Sequence, residues 1–459
     1  MMRLAEAARA IGGRVDGEDV PFASVSTDSR AIPAGSLFVA IRGERFDGHD
    51  YVAAARAAGA AAALVAEGAA IGDPGALPLL VVEDPRLALG RLAAAWRRRF
   101  AIPVIAVTGS NGKTTVKEML AACLRAHVGE ASVLVSAGNL NNDIGVPLSA
   151  LRLRETHRVA VLELGMNHPG ETVYLASIAQ PTLALVNNAQ REHQEFMKSV
   201  EDVAREHASV YACLPADGVA VVNADDAFAA FWRGVAAPRR IRSFALERKA
   251  DVTARHRLTD TGAELELATP EGRANTTLAI AGLHNVRNAI AATAVATAVG
   301  APIAAVARGL AAFRPVKGRL QSGRGKNGAT VIDDTYNANP DSVIAAIDVL
   351  ARASGEKVLV LGDMGEVGER GVEFHEEIGR HARSRGIDHL LAIGELAREA
   401  VGAFGAGAEH FEAIEPLSTR AHALLTPHTT VLVKGSRFMR MERVVERLAQ
   451  PPGEAAKCS

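Results

Sequence analysis

The chain has 459 residues, of which 48% are hydrophobic and 22% charged, with a formal net charge of −1. That length exceeds what one hydrophobic core supports and predicts two or three domains, while the balanced charge argues against a nucleic-acid partner or an anionic membrane surface. No apolar run reaches the roughly 18–20 residues of a membrane span, and Met1–Glu6 opens no signal-peptide core.

Cys123, Cys213 and Cys458 are far apart and lack a Cys-x-x-Cys spacing. Neither a disulfide framework nor a zinc site is expected, and the chain reads as a reduced, cytoplasmic protein without membrane insertion.

Along the chain, strand-like runs at Phe22–Ser26, Leu37–Ile41, Ala62–Val65 and Leu79–Val82 surround an Ala-rich helix after Asp47-Gly48-His49. They predict a small α/β unit over 1–82. Glu83-Asp84-Pro85 punctuates the chain before a helix containing Trp96. The run Ala101–Thr108 then predicts a buried strand, followed by a helix with apolar positions Val116, Met119, Leu120, Cys123 and Leu124. Further strands are expected at Arg158–Leu164, Thr182–Asn187 and Gly218–Asn223, as in a parallel sheet covered on both faces. From Asp251 to Ile280 the pattern changes to β alternation, which predicts an antiparallel addition, and Leu283–Val299 returns to helix. A second unit spans 83–313. Phe313–Arg319 has the proline, glycine and cations of a hinge. After it, strands at Ala329–Asp333, Lys357–Leu361, His389–Ile393 and Thr429–Val433 predict a third α/β unit over 314–459.

Chemistry concentrates at the strand ends. Thr108-Gly109-Ser110-Asn111-Gly112-Lys113-Thr114-Thr115 joins strand to helix through a glycine turn. Such a loop aims backbone N–H groups, a helix N-terminus and an ammonium at a polyphosphate, and offers a hydroxyl to Mg²⁺. It departs from the general G-x-x-x-x-G-K-[ST] pattern because Val107 stands at the first glycine. Glu163 ends an apolar strand, where a lone buried carboxylate is costly and a metal is one partner. His193 lies six residues beyond another strand of the same sheet edge. Three polar clusters are turn-formers or ligand contacts: Gly138–Pro147 with Asn141 and Asn142, Gly282–Ala289 with Asn288, and Asp333–Pro340 with Asp334, Asn337 and Asn339.

Taken in order, Thr-Gly-Ser-Asn-Gly-Lys-Thr, Glu-Leu-Gly, Asn-x5-His, Gly-x-His-Asn-x-x-Asn, Lys-Gly-Arg and Asp-Asp-Thr-Tyr-Asn-Ala-Asn-Pro resemble the Mur ligase family over nearly the whole chain. The resemblance implies a small N-terminal α/β domain that binds a uridine nucleotide. It also implies a central ATPase-like domain with a mostly parallel sheet, and a C-terminal Rossmann-like α/β domain. It is strongest to the branch that joins D-alanyl-D-alanine to a UDP-N-acetylmuramoyl-tripeptide, with ATP and Mg²⁺ and through an acyl phosphate. The tripeptide-forming branch lacks support, because no Asp-Asn-Pro-Arg motif stands in the last unit. Folylpolyglutamate synthases share the loop but not the match at Thr27–Arg30, and a non-catalytic nucleotide switch would not need Lys113, Thr114, Glu163, His193 and Arg319 together.

By that resemblance, Thr27, Asp28, Ser29 and Arg30 hold the uridine nucleotide; read from the residues alone, Asp28 and Arg30 form a surface ion pair. Glu163 and His193 correspond to ligands of a second magnesium, Thr114 to a ligand of the first, and Asn288 to an adenine contact. Asp334 corresponds to a ribose contact and Arg319 to an arginine brought to the γ-phosphate. Asn141, Asn142, Asn337 and Asn339 are further substrate candidates. A monomer is expected. In one respect the chain departs from the family: many relatives carry a carbamylated lysine shortly after the metal-binding histidine, and here His207 stands in its place. Either His207 supports the second metal as a neutral imidazole, or the bridge is dispensed with.

Overall fold

The computed structural model describes residues 1–71 and 75–450, so Cys458 lies outside the described residues. Three sheets of five or six strands organise the chain, each backed by helices. The first runs in the order Arg14–Asp16, Leu79–Val82, Ala62–Ala66, Ser36–Val39, Ser24–Ser26, with only its first pair antiparallel. The second is parallel throughout, in the order Arg240–Phe244, Val219–Asn223, Leu183–Val186, Val104–Thr108, Val159–Glu163, Val133–Val135. A three-stranded antiparallel sheet, Thr253–Leu258, Ala263–Thr269 and Gly272–Leu278, forms the expected addition. The last sheet runs Gln321–Arg324, Thr330–Asp334, Thr429–Lys434, Glu356–Gly362, His389–Ile393, Ala408–Phe411, parallel except at its first strand.

The central strands are buried on both faces, which is why they read as unbroken Val, Ile, Leu and Ala rather than as alternation. From Val104–Thr108 the chain moves first toward one edge of the sheet and then crosses to Leu183–Val186 on the other side. Open α/β sheets bind ligands at such a reversal, outside the carboxyl ends of the strands. Register brings the ends together, since Glu163 pairs beside Val107 and Val186 beside Thr108.

Asp84 caps the helix Pro85–Arg97 by accepting from the backbone N–H groups of Arg86 and Leu87, and Pro85 opens it. The helix Lys113–Val128 buries its Val116, Met119, Leu120, Cys123 and Leu124 face. It lies close against Ile303–Ala312: a Cβ on Gly309 would stand 2.4 Å from Cys123 Cα. Burial also pushes the Cys123 thiol up to about 12, so packing is its role.

Five strands of the large sheets were not legible in the sequence: Arg14–Asp16, Val133–Val135, Arg240–Phe244, Gln321–Arg324 and Ala408–Phe411. All are sheet edges. Edge strands are short or carry polar residues, because one side of their backbone has no neighbour to pair with and little core to reach. Phe313–Arg319 is largely irregular backbone between the helix Ile303–Ala312 and the last sheet, as its Pro and Gly content predicts.

Candidate active site

A cavity of about 900 Å³ opens where the central sheet's carboxyl ends face the third unit. The phosphate loop forms its floor. Gly109 (φ +124°) and Gly112 (φ +83°) occupy backbone conformations that L side chains rarely adopt. A Cβ on Gly109 would meet the backbone nitrogens of Asn187 and Asn188 at 2.9 and 3.0 Å, and one on Gly112 would meet Asn288 Oδ1 at 2.5 Å. Val107 is a fully buried strand residue, so the turn begins one step later than in the general pattern.

Ser110 and Asn111 are tied to the next strand end. Asn111 N–H donates to Asn188 Oδ1 at 2.8 Å, and Ser110 Oγ accepts from Gln190 N–H at 2.9 Å. Lys113 Nζ donates to the Gly109 and Ser110 carbonyls at 2.7 and 3.1 Å and faces Glu192 Oε2 at 3.3 Å. Thr114 Oγ1 donates to Glu163 Oε1 at 3.2 Å, and Thr115 is buried beside it on the cavity wall.

Glu163 is buried, and its Oε1 also accepts from Asn141 Nδ2 at 2.8 Å. Its Oε2 makes no hydrogen bond and faces only the Lys117 ammonium at 3.6 Å. A buried carboxylate oxygen with free lone pairs beside a threonine hydroxyl suits a hard divalent cation. Among the described residues, no three His, Cys, Asp or Glu side chains are already gathered as a metal cluster. The donor set therefore fits a magnesium that keeps water and takes phosphate oxygens, rather than an all-protein cage.

His193 lines the same cavity, with Nδ1 against the Glu366 carboxylate and Nε2 3.7 Å from Glu192 Oε2. Asn288 is buried and bridges two amides, accepting from Asn187 Nδ2 at 3.0 Å and donating to Asn285 Oδ1 at 3.1 Å. Burial holds the neighbouring His284 imidazole at about 4, so it is neutral. Asn142 caps the turn into Gly145–Ala150 through the Gly145 N–H and also lines the cavity.

The third unit supplies the opposite wall. Arg319 lies with its guanidinium 3.9 Å from the Tyr336 ring centroid and donates to Thr114 Oγ1 at 3.4 Å. Asp334 accepts from Leu320 N–H at 3.1 Å and from Lys434 Nζ at 2.6 Å. Asn337 Oδ1 accepts from Ala338 N–H, while Asn339 caps the helix Pro340–Leu350 in a capping box with Ser342. Asn339 also exchanges hydrogen bonds with Asn111, at 3.0 and 3.3 Å, and thus clasps the phosphate loop.

The structure also places the remaining candidates. Thr27, Asp28, Ser29 and Arg30 lie outside this cavity, on an exposed turn where Arg30 grips Asp28 at 2.8 Å. Side-chain hydrogen bonds from Arg30 hold the Asp28 carboxyl at about 2. The N-terminal unit touches the cavity through Glu44 instead. His207 is corrected as a direct metal candidate: it is fully buried and absent from the cavity lining, with Nδ1 2.9 Å from Thr108 Oγ1 and Nε2 2.7 Å from Glu192 Oε1. Both ring nitrogens are taken, so it cannot also bind a metal.

Sequence reasoning missed Lys117, Arg191, Glu192 and Glu366. Lys117 is fully buried and donates to the Ser136 and Gly138 carbonyls at 3.0 and 2.7 Å; its one signal was its place a helical turn after Lys113. Arg191 reaches across to Asp341 at 2.7 Å and Glu377 at 2.6 Å. Glu192, adjacent to His193, carried no pattern of its own.

Comparisons with known proteins agree with this arrangement. Family models match in order along the chain: Mur ligase family, catalytic domain, over residues 21–97; Mur ligase middle domain over 107–296; and Mur ligase, glutamate ligase domain, over 318–437. The UDP-N-acetylmuramoyl-tripeptide--D-alanyl-D-alanine ligase of Escherichia coli is 41% identical, covering 96% of both chains. Among solved structures, MurF from Acinetobacter baumannii superposes with a TM-score of 0.89 at 36% identity, covering 97% of this chain and 98% of that one. MurF ligase from Thermotoga maritima in complex with ADP superposes with a TM-score of 0.80 at 28% identity, covering 92% and 96%. With the phosphate loop, the carboxylate and the arginine from a third unit meeting in one cavity, this chain belongs to the Mur ligase family.

Proposed function

We propose that the chain is the ATP-dependent ligase that joins D-alanyl-D-alanine to a UDP-N-acetylmuramoyl-tripeptide, forming ADP and phosphate, in peptidoglycan precursor synthesis. The observation that carries the chemistry is the meeting of Arg319 and Glu163 on Thr114 of the phosphate loop, from two different units. The choice of dipeptide and tripeptide rests on the end-to-end similarity to ligases of that name.

In this reading Gly109, Gly112 and Thr115 cradle the phosphates with their backbone N–H groups, Ser110 and Asn111 hold the loop in shape by donating theirs to Asn188, and Lys113 turns from its own loop to the outer phosphates. Asn288 meets the adenine and Asp334 the ribose. Thr114 holds one magnesium, and Glu163 with His193 a second; bound there, the ions neutralise charge on the transferred phosphoryl group. A carboxylate oxygen of the tripeptide attacks the γ-phosphorus and ADP leaves. The amine of D-alanyl-D-alanine then attacks the acyl carbon of the resulting acyl phosphate, and phosphate leaves after the amine proton is lost. Arg319 stabilises the charge on the transferred group, and closure around Phe313–Arg319 excludes the water that would hydrolyse the acyl phosphate. No protein nucleophile is required.

The boundaries we propose are 1–82 for the uridine-nucleotide domain, 83–313 for the ATP domain and 314–459 for the C-terminal domain. Thr27, Asp28, Ser29 and Arg30 serve the UDP moiety, and Asn141, Asn142, Asn337 and Asn339 the peptide end. No helix among the described residues is long and apolar enough to cross a membrane. The substrates are small molecules, and the working form is a cytoplasmic monomer that needs no nucleic acid. Phosphate release from ATP tests the proposal. Turnover must require the UDP-linked tripeptide together with D-alanyl-D-alanine; turnover that instead requires glutamate and a folate overturns it.

A further inference from the structure

The side chains behind Lys113 form a chain that the mechanism above does not use. Thr108 Oγ1, His207, Glu192 and Lys113 are linked in sequence at 2.9, 2.7 and 3.3 Å, and all four side chains are buried or nearly so. Glu192 is 5% exposed, and what it exposes lines the nucleotide cavity between Lys113 and His193. Its Oε1 is committed to His207 Nε2, so that nitrogen carries the proton and Nδ1 accepts from the Thr108 hydroxyl. Oε2 is left facing the cavity, 3.3 Å from Lys113 Nζ and 3.7 Å from His193 Nε2.

We propose that Glu192 is a carboxylate ligand for the divalent cation held by Glu163 and His193, and that His207 is the positioning residue that aims it. This rests on the magnesium reading of the site given above. The physical reason is charge balance. Lys113 serves both Glu192 and, once nucleotide binds, the outer phosphates. When its ammonium moves to the phosphates, Glu192 is left as a buried carboxylate held by the His207 Nε2–H and facing His193. Burying a carboxylate without a cation is expensive, and the divalent ion of the nucleotide is the cation that arrives at that moment.

The pair also resolves the departure at His207. A carbamylated lysine presents a carboxylate at the end of a long stem. Here the stem is gone, and the carboxylate comes from Glu192 while His207 fills the space and orients it. The site thus has a fixed carboxylate that needs no CO₂.

The test is Mn²⁺ affinity in the presence of ADP, measured by titration calorimetry or electron paramagnetic resonance on the full chain, with thermal unfolding recorded in parallel. Glu192→Gln keeps the shape and the hydrogen bond from His207 but removes the charge; its Mn²⁺ affinity falls roughly ten- to a hundredfold. His207→Ala lowers it roughly tenfold, because Glu192 is present but unaimed. In the double variant Glu192→Ala, His207→Lys, added bicarbonate restores Mn²⁺ binding, whereas wild type is indifferent to bicarbonate removal. Unchanged Mn²⁺ affinity in Glu192→Gln, with only a lowered unfolding temperature, overturns the proposal and leaves a structural ion pair. A wild type that loses metal on CO₂ removal overturns it as well. Glu163→Gln is the control. If it weakens Mn²⁺ while Glu192→Gln does not, this inference fails alone; if neither variant does, the magnesium reading fails with it.

Discussion

Replacing Arg319 by alanine separates a role in closure from a role in holding nucleotide. In the structure its contribution to the resting arrangement is small. One hydrogen bond at 3.4 Å to the Thr114 hydroxyl crosses the site, and a stack 3.9 Å from the Tyr336 centroid holds the guanidinium within its own unit. A long neutral-acceptor bond is worth about 0.5–1.5 kcal/mol and a part-exposed cation–π contact about 0.5–1 kcal/mol. Together these correspond to a loss of at most roughly sixtyfold, at ~1.4 kcal/mol per factor of ten. An arginine that meets the phosphoryl group only as charge develops is worth far more, on the order of a thousandfold in kcat. Arg319→Ala is therefore expected to lose about a thousandfold in kcat while ADP affinity, measured by calorimetry, falls by no more than that smaller factor. Arg319→Lys keeps the charge but loses the planar stack on Tyr336, and falls between wild type and alanine. Single-turnover formation of acyl phosphate from ATP and the tripeptide isolates the step. Equal losses in ADP affinity and in kcat would refute the reasoning, because they would make Arg319 an ordinary ground-state contact.

Gly109→Ala is expected to lower ATP affinity at least tenfold without unfolding the chain. It adds about 1–2 kcal/mol of left-handed strain and a Cβ clash with the Asn187 and Asn188 nitrogens; wild-type affinity in filter-binding assays would show the loop to be more compliant than its geometry says. The Asn111–Asn339 clasp predicts that Asn111→Ala and Asn339→Ala are coupled by about 1 kcal/mol in a double-mutant cycle on kcat/KM, whereas additive losses would mean the clasp does not report closure. Asp47→Ala removes the acceptor for the His49 backbone N–H and ring, so the Ala66 amide, which donates to His49 Nε2, exchanges faster by about 1–2 kcal/mol. The Asp47 carboxyl lies well below its ordinary value, chiefly through the His49 backbone hydrogen bond. A depressed carboxyl stabilises the fold above its unfolded pKa of about 4, and that contribution disappears as pH falls toward the folded value. The gap between wild type and variant should thus be full at neutral pH and shrink in acid; a gap independent of pH would assign it to packing.

What could be read from the sequence follows from what leaves a local trace. The buried parallel strands Val104–Thr108 and Val159–Glu163 were visible because both faces are covered and their apolar residues run on without interruption. The phosphate loop was visible because its glycines and lysine must be adjacent. Edge strands such as Arg240–Phe244 and Gln321–Arg324 left no such mark, since the first is only partly buried and the second is exposed along its whole length. Asn339 was legible as a polar strand-end residue, but not as a clasp on Asn111, 228 positions away. Glu192 is the clearest case of what local pattern hides. Its importance lies in two partners, Lys113 and His207, that are 79 and 15 residues distant. Only the anomaly at His207 hinted that something nearby had changed.

The contacts between the second and third units explain how binding and closure are coupled. Arg319 to Thr114, Asn339 to Asn111, Glu366 to His193 and the Arg191 bridge to Asp341 and Glu377 are all polar, and most lie at the rim of the nucleotide cavity. They rim an apolar contact, in which Val286 and Phe313 share one buried cluster with Leu320 and Val343, and water replaces each lost hydrogen bond of the rim more readily than it replaces that packing. Three of these four contacts use a residue of the second unit assigned to phosphate or metal. A polyphosphate with its cations therefore adds its charge between Arg319 on one side and Thr114 and His193 on the other. It favours the closed form by its differential contacts with the two walls, which is the condition for a ligand to shift such an equilibrium. Closure is then tightest when the nucleotide is present with its metal, which is when the acyl phosphate most needs shelter from water.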